Sequence, residues 1–565
     1  MRRPHVAALV LAVLGSTGMG PLGGASAAAP RAPRLAVVIV VDGLSWSRLE
    51  SRRPWFSSGF KRLLDEGAVS TECRYDHLNT ETSPGHASLA TGAPPRRHGI
   101  ALNDWYVPSP SGTGMAAVYS ASQPLPGEPD GSPKTIPGPG RLRADTLGDR
   151  LVARDPRAKV VAISTKDRSA IFLAGRDRRH AVYWYSSKEG IFVTSAAYDA
   201  SSPTAATAAP VVARFNAANA GANLAAHLGT TWSRRPIPNP PPALGFESGL
   251  GSYQDAVVGP EFPHDLAHAR PPFAEALKWS PLADQLVADL ALDLLADDAL
   301  ALGRDDVPDL LQVAFSANDY VSHRYGPESV EDLEILRALD VEIGRLLDDL
   351  TARFGNGQVV VALSADHGFL PLPEAGIRRD PQPRRMRVKD LKIVEELNAA
   401  VDAALKRHDA PPLVYRLEAC SLWLDRSRLA GKGTRDVDRV LAIVRRELAT
   451  TWSDVVLRTY VVADGIRGYR KDDLARRARN AQVPGRSGDL FVVPRPGVLI
   501  DPYKGTGTSH STPWEYDTHV PLIFWGGGIA PRVFSAPTTP YDLAPTLASR
   551  LGVTLPAATG TAIKF

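Results

Sequence analysis

Seven side chains in five separated clusters carry the groups that two divalent metals and a nucleophile between them require. Asp42 lies in VVIVVDG, Thr82 in TETSPGH, Asp319 and His323 in ANDYVSH, Asp366 and His367 in SADHG, and His510 in GTSHS. Zinc takes carboxylate and imidazole ligands, and a catalytic zinc keeps one position open for water or substrate. Asp319 and His323, four residues apart beyond an apolar run, share one side of a helical turn, and His510 completes one ligand set. Asp366, His367 and Asp42, with the Thr82 oxygen, make the other. Two metals roughly 4 Å apart stabilise both the attacking and the leaving oxygen of an in-line displacement. The chemistry indicated is that of a metallohydrolase.

No single cluster carries this reading, since an Asp at a strand end commonly caps a helix or forms a turn. The weight lies in their joint placement. Most follow an apolar run with the character of a buried strand, and ligands at the strand ends of one sheet converge on one edge. LAVVIVVDG, DLLQVAFS and QVVVALSADHG are such runs, and they alternate with helical stretches: SSGFKRLLDEG, TLGDRLVARDP, residues about 281–302, and ESVEDLEILRALDVEIGRLLDDLTARFG. This alternation predicts an α/β fold, a doubly wound and mostly parallel sheet with helices on both faces. The core comprises residues 35–190, 276–369 and 505–565. Residues 191–275 and 370–504, irregular or differently patterned, are expected as inserted caps.

SPGHASLATG reads as a helix start, with Pro84 tolerated in the first turn. Thr82 then stands at a helix N-terminus, where free N–H groups and the dipole favour a phosphate. His86 and His98 are expected to brace this loop through hydrogen bonds. Trp105 and Tyr106 either line the entrance or pack. His264 and His268 in HDLAH have the same spacing as a metal pair but no strand behind them, and are expected at the surface. His519, at the start of HVPLIFW, is expected to pack.

With 44% hydrophobic and 22% charged residues, the chain of 565 residues can form a sizeable core. Its net charge of +4, reduced to +2 without residues 1–28, is too small to argue for a nucleic-acid or membrane-surface partner. Residues 1–28, with a basic start, a short apolar stretch and Ala25-Ser26-Ala27, read as a cleaved signal peptide, so the protein is expected to be exported, periplasmic or secreted. No later run predicts a membrane span in the mature chain; LADQLVADLALDLLADDALALG is studded with Asp. Cys73 and Cys420 could pair in an oxidising compartment or remain two buried thiols.

Taken together, DG at Asp42, T-x-P-G-H at Thr82, D-x-x-x-H at Asp319, DHG at Asp366 and the late His510 resemble the alkaline phosphatase superfamily. Within it the match is to exported bacterial phosphatases with a threonine nucleophile, related to nucleotide pyrophosphatase/phosphodiesterases. The resemblance runs from about residue 35 to the C-terminus. It implies two Zn2+, one held by Asp319, His323 and His510, the other by Asp42, Asp366, His367 and the nucleophile Thr82. It further implies that Asn103 in LNDWY and Lys166 with Arg168 in STKDR contact the phosphoryl oxygens. Two cations and an amide donor suit a monoester dianion, so the expected substrates are small-molecule phosphate monoesters, turned over by a monomer through a phosphothreonine. A phosphodiesterase or nucleotide pyrophosphatase on the same scaffold is the alternative. A sulfatase is disfavoured because Thr82, with His86 where Arg is needed, replaces the Cys or Ser of a C/S-x-P-x-R motif. One departure stands at Ser511, where the family usually has Gly.

Overall fold

The near-continuous Val, Ile and Leu runs form the centre of a nine-stranded sheet. The computed structural model describes residues 32–108, 115–119, 122–124, 135–236, 257–373, 386–429, 434–463, 466, 472–501 and 507–565. The signal-peptide reading of residues 1–28 lies outside them. In chain order the strands are β1 (Leu35–Val41), β2 (Ala68–Ser70), β3 (Val160–Ser164), β4 (Ala181–Ser186), β5 (Ile191–Val193), β6 (Asp309–Phe315), β7 (Val359–Ser364), β8 (Leu522–Gly526) and β9 (Arg532–Phe534). Across the sheet they run β9-β2-β8-β7-β1-β6-β3-β4-β5. The centre from β7 to β4 is parallel. β8 is antiparallel to β7 and β2, and β5 to β4, so the whole sheet is mixed. Every residue of β1, β6 and β7 is buried, which requires both faces to be covered.

Register explains the convergence that the strand ends suggest. Val41 lies opposite Phe315, Val40 opposite Ser364, and Ala314 opposite Ser164. Asp42, Asp319, Asp366 and Lys166 therefore leave the sheet within a few residues of one edge. The Ala317–Tyr325 helix follows β6 after one residue and carries Asp319 and His323. After β3 a helix, Asp167–Ala174, begins with Lys166 at its N-cap. Of the helix expected over 281–302, Leu282–Ala296 forms. The long helix Val330–Gln358 is interrupted at Gly355, whose φ of +64° breaks the turn.

Residues 191–275, expected as a cap, contribute β5 to the main sheet and the helix Pro203–Ala218, whose Val211, Val212 and Phe215 join the main core. The surface placement of His264 is overturned. It is fully buried, with Nδ1 3.2 Å from the Val258 carbonyl and its ring against Phe262 and Trp232. Two large aromatic rings form a pocket that local pattern could not reveal. His268 is exposed and pairs with Asp265.

Within 370–504 a second, antiparallel sheet orders its strands Val414–Glu418, Ser421–Leu424, Leu490–Pro494 and Val456–Val461. It has its own core, in which Ile393 and Leu397 of the helix Asp390–Leu405 meet Val440 and Val444 of the helix Thr434–Thr450. The first two strands are joined by Ala419 and Cys420 at φ +47° and +60°, the left-handed pair that a two-residue hairpin needs. Cys73 and Cys420 are buried and unpaired. Among the described residues no helix is long and apolar enough to cross a membrane.

Candidate metal centre

Folding gathers six of the distant side chains into two adjoining sets, Asp319 with His323 and His510, and Asp42 with Asp366 and His367. Within each set one ligand atom per residue lies within 4.8 Å of the others. In the first, Asp319 Oδ1 is 3.5 Å from His323 Nε2 and 3.8 Å from His510 Nε2. In the second, His367 Nε2 is 3.5 Å from both Asp42 Oδ1 and Asp366 Oδ2. The His367 and His510 rings stack at 3.6 Å between centroids, so the sets are neighbours.

The imidazoles are prepared as ligands. Each donates its Nδ1–H to a carbonyl: His323 to Thr508 at 3.0 Å, His367 to Gly368 at 3.0 Å, and His510 to Thr80 at 2.8 Å. A carbonyl only accepts, so this fixes the tautomer and leaves the Nε2 lone pair facing the set. Burial also lowers the pKa of all three rings, helped for His510 by His367 and His323, and keeps them neutral. Asp366 Oδ1 accepts the N–H groups of Gly43 and His367, both at 3.0 Å, which turns Oδ2 toward the set.

Asp42 Oδ1, Asp319 Oδ1 and His367 Nε2 are buried without a hydrogen-bond partner in the protein. Such groups cost about 1–3 kcal/mol each, more when charged. A divalent cation is the partner that this donor set fits. Burial, then Asp319 and Asp366, push the Asp42 carboxyl well above its ordinary range, a repulsion that bound cations relieve.

Lys166 sits between the sets, its Nζ 2.7 Å from Asp42 Oδ2 and 2.5 Å from Asp319 Oδ2, and 4.9 Å from the Tyr320 ring centroid. Burial opposes its charge, but Asp319 and Asp42 outweigh that and hold it protonated. Thr82 is the first residue of the helix Thr82–Thr91. With Asn103, Arg168, Asp319, His323 and His510 it lines a cavity of about 330 Å3, whose far wall comes from the second sheet through Leu417, Glu418 and Cys420. Asn103 is oriented by the Ser83 N–H, which donates to its Oδ1 at 2.9 Å. The Arg168 guanidinium lies 3.9 Å from Asp167.

Of the two histidines expected to brace the Thr82 loop, His86 lies within the helix Thr82–Thr91 and His98 bonds it from outside. His86 Nδ1 is 2.9 Å from the Thr82 carbonyl and 3.2 Å from Asp366 Oδ2; His98 bonds Ser88 Oγ and the Ile100 N–H. His519 stays outside both sets, 2.9 Å from the Thr71 carbonyl. Trp105 is a buried ring flanked by Arg141 and Arg486, while Tyr106 donates to Glu418 at 3.0 Å.

Two residues escaped the sequence reading. Glu81 accepts the Asn103 N–H at 2.7 Å and the Ser511 hydroxyl at 3.2 Å, tying together the loops of Thr82, Asn103 and His510. Burial pushes its pKa up to about 7. Its only signal was adjacency to Thr82. Arg48 was likewise unmarked, lying in an unremarkable helical turn. Ser511 explains its own departure: its φ is +86°, a backbone that glycine adopts without strain, and the bond to Glu81 holds the serine there.

Residues 36–520 match the family described as type I phosphodiesterase / nucleotide pyrophosphatase. The chain is 30% identical to alkaline phosphatase PafA of Elizabethkingia meningoseptica, over 97% of this chain and 96% of that one. It is 28% identical to alkaline phosphatase PhoK of Sphingomonas sp, over 93% and 89%. The crystal structure of wild-type PafA superposes with a TM-score of 0.79 at 29% identity, covering 95% of this chain and 99% of that one. The chain therefore belongs to the type I phosphodiesterase / nucleotide pyrophosphatase family of the alkaline phosphatase superfamily.

Proposed function

We propose that the protein is an exported alkaline phosphatase that hydrolyses small-molecule phosphate monoesters with two zinc ions and a phosphothreonine at Thr82. The observation that carries this is the pair of adjoining triads, with Thr82, at a helix N-terminus, lining the same cavity as Asp319, His323 and His510. The names of its relatives PafA and PhoK support the phosphatase activity, and the basic-apolar leader in residues 1–28 supports export.

Asp319, His323 and His510 would hold one zinc, and Asp42, Asp366 and His367 the other. Bound zinc supplies Lewis acidity that lowers the pKa of a nearby hydroxyl or water and neutralises charge on the reacting oxygens. Thr82 Oγ1 attacks phosphorus in line; the bond from phosphorus to the ester oxygen breaks, and the alcohol departs as its oxygen takes up a proton. Water then cleaves the phosphothreonine, returning the Thr82 hydroxyl and releasing phosphate. Asn103, Lys166 and Arg168 would bind the non-bridging oxygens, Lys166 also countering the carboxylates of both sets. A monoester carries more negative oxygen than a diester, so these groups favour it.

The test uses p-nitrophenyl phosphate and bis-p-nitrophenyl phosphate with metal-quantified protein. The monoester should be strongly preferred, and Thr82→Ala should lose on the order of 10^4-fold or more in turnover while retaining two zinc per chain. A marked diester preference would instead assign the protein to the phosphodiesterases of its family.

A further inference from the structure

We infer that Arg48 is a positioning residue that couples the two metal sets by clamping the backbone of one to the helix that carries the other; this rests on the two-metal reading above. Arg48 lies in the helix Trp46–Arg52, just beyond the β1 loop that bears Asp42, and is only 5% exposed. Its Nη1 donates to the Gly43 carbonyl at 2.6 Å. Its Nη2 donates to Asn318 Oδ1 at 2.7 Å and Ser322 Oγ at 3.0 Å. Asn318 and Ser322 immediately precede Asp319 and His323, and Gly43 immediately follows Asp42. Asn318 closes the circuit by donating from Nδ2 to the Asp42 carbonyl at 2.7 Å.

One rigid, planar guanidinium thus spans the neighbours of three ligands drawn from both sets. A buried cation needs a counter-charge, and Asp332, fully buried, supplies it by contacting Arg48 through Oδ1 and Arg52, at 2.5 Å, through Oδ2. Asp332 sits in the first turn of the long helix Val330–Gln358, anchored by its N–H to the capping Ser329 Oγ at 3.0 Å. The clamp is therefore braced against the largest helix of the core. A metal pair that acts on one phosphoryl group requires a fixed separation, and partners outside the ligand shell set ligand placement. Arg48, together with Asn318, ties the backbone of the Asp42 segment to the Asp319–His323 helix.

The test is zinc affinity of the metal-stripped whole protein, measured by chelator competition, together with the spectrum and magnetic coupling of the dicobalt form. Arg48→Met and Asn318→Ala should each weaken zinc binding by about 10–100-fold and alter the cobalt–cobalt coupling. Arg52→Met, which also removes one cation from Asp332, should change zinc affinity by less than about 3-fold and keep the coupling. Asn318→Ala leaves no stranded charge, so it carries the test even where Arg48→Met does not fold. Equal losses in the Arg52 variant, or wild-type affinity and coupling in Asn318→Ala, overturn the clamp. Failure of the parent protein to bind two metals would instead overturn the two-metal reading on which the clamp depends.

Discussion

Individual side chains divide the labour of the site according to what their surroundings allow. Lys166, locked between Asp42 and Asp319, is held as a fixed charge, whereas Arg168 lines the open cavity with Asn103. Removing Arg168 should therefore act on substrate charge more than on metal retention. Arg168→Ala is expected to lower kcat/KM for p-nitrophenyl phosphate by about 10^2-fold or more, as loss of a charge-stabilising donor does. The loss on the bis ester should be much smaller, with zinc content unchanged. Paired initial-rate and zinc measurements check this, and equal losses on both esters would deny Arg168 its part in favouring the dianion.

Among the elements, the short helix Thr82–Thr91 is held by contact rather than by amphipathic pattern, since every one of its residues is buried. Gly85 explains how closely it packs. A Cβ there would lie 2.4 Å from the Asp366 carbonyl oxygen and 2.8 Å from its Cα, and backbone cannot yield as a flexible side chain does. The glycine of T-x-P-G-H is thus what lets the Thr82–Thr91 helix lie against the Asp366 strand end. Gly85→Ala should destabilise the fold by about 1–3 kcal/mol, the usual cost of overpacking, and lower zinc content by displacing Asp366. Thermal melting and metal analysis test both effects; an unchanged melting temperature and two retained zinc ions would contradict the contact.

At the scale of the whole molecule, burial of neutral histidines makes stability depend on pH. His77 bonds Tyr541 at 2.7 Å. Burial, assisted by Arg477, lowers its pKa from 6.5 to about 3. Between those values the unfolded chain binds a proton that the folded chain does not, so this group withdraws stability as pH falls from about 6.5 toward 3. The slope is about 1.4 kcal/mol per pH unit for one proton. His77→Gln should flatten the acid side of the stability profile by that amount, measured as the difference in urea unfolding free energy between variant and parent across pH 6.5 to about 4.5. Parallel profiles would show that His77 titrates normally.

The sequence by itself determined the residue types of the site, the buried character of β1, β6 and β7, and the positions of Asp42 and Asp366 just past strand ends. These are local properties, written in apolar runs and in the residues that close them. Tertiary structure alone decided that His510 meets Thr80, 430 residues earlier, that Lys166 faces carboxylates from the end of β1 and from the Ala317–Tyr325 helix, and that Arg48 and Glu81 belong to the site. It also buried His264 between aromatic rings and folded β5 into the main sheet. Periodicity along a chain reports which face of an element is apolar, but not which distant element will cover that face. Contacts of long sequence separation arise only from the register and packing of the completed fold.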